Sequence, residues 1–347
     1  LSSCEKNFRR LNAVKGWIFD VYPSGPDEVT VWIIAESGER VKLVDKYTHR
    51  IYVSGALQDL KGLTEKIRDS KSVAGFRFVD KYADFMEAEK KKVLEIKMRD
   101  YRRTSFFARK VLRLGGYEKF QLYNVDVPIA QAYLYDRDVF PLAHVLVVDS
   151  GKGLSYELLD TVESCDYEAP RLRSMWLNIN IKKASATTQF SDQIESITLE
   201  LNNKTIIIGE GSESEKLLAL VKAVREEDPD IIFTRGGDSF LIPYLAYRAF
   251  VNGVLNQFIL SREEIPVKAK KGRGRSFFSY GRVYYKAPLR RLYGRVHIDV
   301  NNTFIYTACG LEGLFEVSRT CRVPLHRAAR ASIGSIMSSL QLYTAWK

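Results

Sequence analysis

Between Leu172 and Val251 the chain sets out an order of elements that few architectures accommodate. Leu172–Ile181 reads as a buried strand, Gln193–Leu201 as a second and Lys204–Ile208 as a third. Only Asn202-Asn203 separates the last two, a pair suited to a two-residue hairpin turn. Ser212 followed by Glu215 forms a capping box, and the helix it starts carries Leu217, Leu218, Val221 and Val224. Ile231-Ile232-Phe233 then predicts a strand parallel to the first, and Ser239–Val251 a helix. Such a meander, helix, parallel strand and further helices predict a layered α/β domain.

Residues 1–165 read as mixed α/β with short strands. Val14–Tyr22 and Val29–Ala35 alternate in the β manner across the turn-rich Pro23–Asp27, and Val41–Val44 and Arg50–Val53 predict two more strands. Gln58–Ser70 has helical spacing, with Leu60, Leu63 and Ile67 on one face. Arg102–Leu114 predicts an amphipathic helix with Phe106, Phe107, Val111 and Leu112 as its apolar side. Pro128 begins a short helix over Ile129–Tyr135, and Lys90–Lys92 reads as a solvated face. A composition shift over Cys165–Pro170 suggests the domain boundary. Two domains suit 347 residues of which 46% are hydrophobic and 27% charged. Four scattered cysteines without a C-x-x-C pair suggest neither a zinc site nor a disulfide framework. No apolar run approaches the ~18 residues of a membrane span. These features predict a cytoplasmic setting without membrane association. A start without Met and an end inside a helical-looking segment make a fragment or half of a split protein the expectation.

The net charge of +11 is unevenly placed. From Ile265 to Lys347 there are 15 Lys and Arg against three acids, Asp299, Glu312 and Glu316. Residues 265–298 contain no acid, but include Lys268, Lys270, Lys271, Arg273, Arg275, Arg282, Lys286, Arg290, Arg291 and Arg295. Phe277, Phe278, Tyr280, Tyr284, Tyr285 and Tyr293 are interleaved with them. Cations neutralise phosphates and release counterions, while aromatic faces stack on unpaired bases, so this stretch predicts a nucleic-acid contact. The expected contact residues are Lys270, Lys271, Arg273, Arg275, Tyr280, Arg282, Tyr284, Tyr285, Arg290 and Arg291, with Arg319, Arg322, Arg327 and Arg330 extending the basic surface.

Several segments together resemble archaeal family B DNA polymerases. Asp228-Pro229-Asp230-Ile231-Ile232-Phe233-Thr234, with Gly237-Asp238-Ser239-Phe240 and Pro243-Tyr244-Leu245, is similar to the family's second exonuclease motif region. Gly294–Asp299 resembles the strand after the editing hairpin, Tyr123–Pro128 an N-terminal-domain segment, and Gly334 with Met337–Gln341 the run before the palm. The resemblance implies a family N-terminal domain over 1–165 and a ribonuclease-H-like, exonuclease-type domain over 166–332 with a basic hairpin at about 265–295. Residues 333–347 would form a helix leading toward a palm, with the N-terminal domain as a surface to pack on.

The family's editing site holds two divalent cations on clustered carboxylates, about 3.5–4 Å apart. Its first motif, Asp-x-Glu on a strand, falls here on Asn178 and Asn180, and the Asn and final Asp of the second fall on Gly236 and Leu241. The third motif needs a late Asp, and no acid follows Glu316. Neutral amides cannot offset the charge of a hard cation, so the resemblance implies an inactivated editing site, as in a branch whose motifs have decayed. Asp192, Glu195 and Asp238 read as strand-edge or loop acids facing water, and His49, His144, His297 and His326 as isolated structural residues. Where relatives that read template uracil carry Arg, Ala132 stands, so that property is not expected. The function implied is the N-terminal part of a DNA-directed DNA polymerase in replication or repair. No cofactor is expected in this part, and magnesium is expected for the palm. DNA is the expected partner, with the C-terminal half of the polymerase or another replication protein as a second. The alternatives are an active metal-dependent exonuclease with an unrecognised ligand set, and a non-catalytic scaffold that docks a replication partner.

Overall fold

Alternation of apolar and polar residues puts the beginning of the chain into strands. In a computed structural model that describes residues 12–84, 86–164, 166–183, 185–268, 274–279 and 281–346, these are β1 (Asn12–Gly25), β2 (Glu28–Ala35), β3 (Arg40–Lys46) and β4 (Arg50–Ser54). Then come α1 (Leu57–Ile67), β5 (Val73–Lys81), β6 (Lys91–Met98), α2 (Thr104–Leu114), β7 (Gln121–Tyr123), α3 (Ile129–Arg137), β8 (His144–Asp149) and β9 (Leu154–Leu158). They build one sheet in the order β3-β2-β1-β8-β9 and another in the order β5-β6-β4-β7. β5, β6, β7, β8 and β9 add to the four strands read from the sequence. In β6 the charged Glu95 is buried and paired with Arg77 at 2.9 Å, which hides the alternation. The Lys90–Lys92 stretch is thus partly the start of a paired strand. Phe106, expected on the buried side of α2, is 73% exposed, while Thr104, Phe107, Ala108 and Val111 face the core.

The second half contains β10 (Ser174–Lys182), β11 (Gln193–Leu201), β12 (Lys204–Ile208), α4 (Glu213–Glu227), β13 (Ile231–Thr234) and α5 (Ile242–Val251). After them come the hairpin β14 (Arg275–Ser279) and β15 (Arg282–Lys286), then β16 (Val296–Asp299), α6 (Ile305–Thr320), α7 (Leu325–Ala328) and α8 (Ile333–Trp346). The third sheet runs β12-β11-β10-β13-β16, with β10, β13 and β16 parallel and the rest antiparallel. The Asn202-Asn203 turn follows from the Leu201↔Lys204 pairing, and both bonds of the Ser212–Glu215 capping box are present. The helix expected from Ser239 begins only at Ile242, because Gly237–Leu241 form a wider π-type turn entered through Gly236 at φ 74°. This is a mixed α/β fold of several sheets.

One apolar cluster joins the first and third sheets: Phe19, Ile34 and Leu142 pack with Ile231, Phe233, Val296, Ile298 and Leu314. The terminal helix α8 lies on the first half, where Leu342 and Trp346 pack against its core, Trp346 Nε1 donates to Asp136 at 2.8 Å and Tyr135 donates to the Ser339 carbonyl at 2.8 Å. Among the described residues, no helix is long and apolar enough to cross a membrane.

Candidate nucleic-acid interface

A strand sends alternate side chains to opposite faces. On β10, Met175 and Leu177 enter the core, while Trp176, Asn178 and Asn180 share the other face. Opposite them on β11 stand Glu200, Thr198 and Ser196. The Asn178 amide donates to Glu200 Oε1 at 3.3 Å and the Asn180 amide to Ser196 Oγ at 3.0 Å. Both carboxamides therefore point donors at the oxygens around them. A magnesium ion needs anionic oxygens, and here Glu200 supplies the carboxylate while two neutral amides take the adjoining places. Among the described residues, no three His, Cys, Asp or Glu side chains group where they could hold a metal. The residues present do not fit a two-ion site.

Beside the amides lies an aromatic and cationic shelf that sequence reasoning missed. Trp176 stacks on Phe233 with centroids 5.0 Å apart, Phe233 meets Tyr306 at 5.4 Å, and the exposed Arg235 guanidinium sits 5.0 Å over Trp176. The signal available in the sequence was the β13 continuation Phe233-Thr234-Arg235, which the parallel pairing of Trp176 with Phe233 brings alongside β10.

The remaining motif positions are structural. Leu241 is buried in the core. The Gly236 and Asp238 amides donate to the Asp299 carboxylate at 2.8 and 2.9 Å, which fixes the π-type turn. Asp238, expected to face water, is instead fully buried. Arg330 forks onto its two oxygens at 2.5 and 3.0 Å, Asn302 donates at 2.7 Å, and the Arg290 amide donates at 2.9 Å. Burial alone would raise the Asp238 pKa, but the Arg330 charge and its hydrogen bonds outweigh this and hold it below the usual carboxylate range. His297, 3.5 Å from Asp238, is pushed down to about 4 by burial and by Arg330, and is neutral at pH 7. Asp192 is likewise buried, accepting from the Gln189 amide at 2.8 Å, whereas Glu195 is exposed.

The basic stretch divides into two kinds of residue. Lys270, Lys271, Arg273 and Tyr280 lie outside the described residues, and so do the side chains of Arg282 and Tyr284, whose backbone belongs to β15. Arg275 is exposed at the base of the hairpin. Tyr285 is 63% exposed, and the cross-strand pair Phe278 and Val283 lies open on the same face as Tyr285. Arg290 and Arg291, expected to face nucleic acid, turn inward. Arg290 Nε reaches the Asp238 carbonyl at 3.4 Å, and burial lowers its pKa. Arg291 pairs with the buried Asp20 at 2.8 Å, meets His326 at 2.8 Å and lies over Tyr22. Arg319, Arg322 and Arg330 are also buried rather than part of a basic surface, with Arg319 pairing Asp160 at 2.9 Å and Arg322 pairing Asp138 at 3.2 Å. Arg327 remains exposed and donates to Gln131 at 2.6 Å. The reason is desolvation: a buried guanidinium persists only with acceptors, and the fold supplies them from distant segments. Ala132 is fully buried in α3.

No family model matches the chain. DNA polymerase 1 of Pyrococcus abyssi is 25% identical over 199 residues, which are 56% of this chain and 22% of that protein. The DNA polymerase of Archaeoglobus fulgidus is 24% identical over 300 residues, 84% of this chain and 35% of that protein. The family B DNA polymerase of Pyrobaculum calidifontis superposes with a TM-score of 0.73 at 18% identity, covering 96% of this chain and 50% of that one. The chain thus spans half or less of each of these three proteins. In sequence and in fold it resembles the archaeal family B DNA polymerases over their N-terminal region.

Proposed function

We propose that this chain is the N-terminal part of a family B DNA polymerase, that it holds DNA through the β14–β15 hairpin, and that its exonuclease-like site does not cut. The observation that carries this reading is the pair of Asn178 and Asn180 amides, each donating a hydrogen bond where the matching motif has carboxylates. The open hairpin face supports the DNA contact: Arg275 offers a charge to phosphate, and Tyr285 and Phe278 offer stacking surfaces. The Trp176–Arg235 shelf suits a strand end held without hydrolysis. Magnesium-dependent nucleotide transfer is assigned to a palm outside these 347 residues, on the same chain or another, in the cytoplasm.

The test measures anisotropy of labelled single strands against salt, alongside digestion assays with magnesium and with manganese. Arg275→Ala is expected to flatten the slope of log affinity against log salt by about one phosphate contact. Tyr285→Ala is expected to cost about 1–3 kcal/mol with little change of slope. Metal-dependent digestion would refute the inactive site, and affinity untouched by both substitutions would refute the hairpin contact.

A further inference from the structure

Away from the hairpin, a cavity of about 450 Å³ opens between the first and third sheets, where Trp32, Arg40, Arg225, Ser261, Arg262 and Arg295 line it. Four guanidinium groups converge here on two carboxylates. Asp230 takes Arg40 at 2.6 Å and Arg262 at 2.7 Å, and Asp228 takes Arg262 at 2.8 Å, Arg295 at 2.8 Å and Arg173 at 2.6 Å. The carboxylates offset two of the four charges, and Arg225 at the mouth is matched by Glu264 at 3.0 Å. A surplus of two positive charges is left, with Arg40, Arg262 and Arg295 buried and Arg173 half exposed beside the cavity.

The hydrogen bonds locate where that surplus is unanswered. Arg40 and Arg262 have acceptors at Nε and at both terminal nitrogens. Arg295 does not. Its Nη1 is held by the Pro229 carbonyl and Asp228, but its Nε is buried without a partner although the residue is only 4% exposed. Nε and Nη2 form one edge of the guanidinium, the edge that donates to two oxygens of an oxyanion side by side. Burial and the charge of Arg262 push the Arg295 pKa down to about 10, as expected of a cation short of counter-charge. Ser261 Oγ already accepts from the Tyr293 amide at 3.0 Å, which leaves its hydrogen to donate.

We propose that this cavity is an anion site for a doubly charged phosphate group, inorganic phosphate or a phosphate monoester, held by the free edge of Arg295 with Ser261 and Arg225 closing over it. A dianion matches the surplus charge. The site stands apart from the hairpin and from the Asn178–Asn180 face, so it holds or fails independently of DNA contact there.

The experiment is calorimetric titration of the whole chain with inorganic phosphate at constant ionic strength, with chloride as the control. Saturable phosphate binding is expected, weakened about tenfold or more by Arg295→Lys, which keeps the charge but loses the fork. Because Arg295 is knitted into the fold, Arg225→Ala and Ser261→Ala are measured as well, each expected to weaken binding several-fold. A 5′-phosphorylated oligonucleotide and its unphosphorylated twin then compete with phosphate. Displacement by the phosphorylated strand alone places a strand end in the site, and displacement by neither leaves free phosphate as the ligand. Absence of saturation up to ~50 mM phosphate, a concentration that would reveal even millimolar affinity, overturns the proposal. So does an affinity unchanged in all three variants.

Discussion

Replacing Asp238 by Asn tests whether the region matching the second exonuclease motif has become a structural fastener. Asp238 sits between the β13–α5 turn, the end of the hairpin segment and the α7–α8 connection, through the Arg290 amide, Asn302 and Arg330. Asn keeps the shape but removes the charge and turns one acceptor into a donor that faces other donors. Arg330, only 6% exposed, would then be a buried cation without a counter-ion. Removing one partner of such a pair costs about 3–5 kcal/mol, a large share of the 5–15 kcal/mol that holds a typical domain. Guanidinium melts followed by tryptophan fluorescence should therefore shift well below wild type, since Trp176 and Trp32 report on the third and first sheets. Arg330→Met added to Asp238→Asn should recover part of the loss, because the stranded charge is gone. The folded pKa of Asp238 lies below the usual 3.8, so this stabilisation is complete above about pH 4 and is lost only as pH falls through the folded value. A loss under about 1 kcal/mol for Asp238→Asn, or no recovery in the double variant, would refute the reasoning.

His297 predicts a separate acid limb. Its folded pKa of about 4 lies below the usual 6.5, so the unfolded chain binds the proton first and stability falls as pH drops from 6.5 toward 4. At about 1.4 kcal/mol per pH unit that amounts to ~3 kcal/mol, and His297→Gln should flatten the profile of stability against pH over this window. Restoring Asp at Asn178 and Glu at Asn180 should create a manganese site beside Glu200, detectable by electron paramagnetic resonance. Digestion should stay absent because Leu241 still supplies no carboxylate and no acid follows Glu316; manganese binding equal to wild type would contradict the placement of the two side chains on one face.

Much of the fold was legible because it is written in short-range pattern. β11 and β12 follow the alternating runs, the Asn202-Asn203 turn and the capping box to the residue, and α3 starts at the predicted Pro128 boundary. Of the strands that escaped, β6 carries a charge at a buried position, and Glu95 is tolerated there only because Arg77 reaches it from the neighbouring strand. That Asn178 and Asn180 share one face was likewise readable, since the period of a strand alone puts both there.

What sequence could not decide was the fate of each arginine. Arg291 and Asp20 are 271 residues apart, Arg319 and Asp160 are 159 apart, and Arg330 and Asp238 are 92 apart. Along the chain, residues 265–298 are uniformly cationic, and every arginine in them looks equally available to a phosphate. In three dimensions Arg291 is consumed by an acid from the first strand, Arg275 is left in solvent, and Arg295 is buried with one edge unanswered. Local pattern fixes which face of an element meets the core, because that depends on neighbours one to four residues away. Whether a charge is spent inside or offered to a partner depends on which distant acceptor the packed fold brings within about 3 Å, and only the tertiary structure decides that.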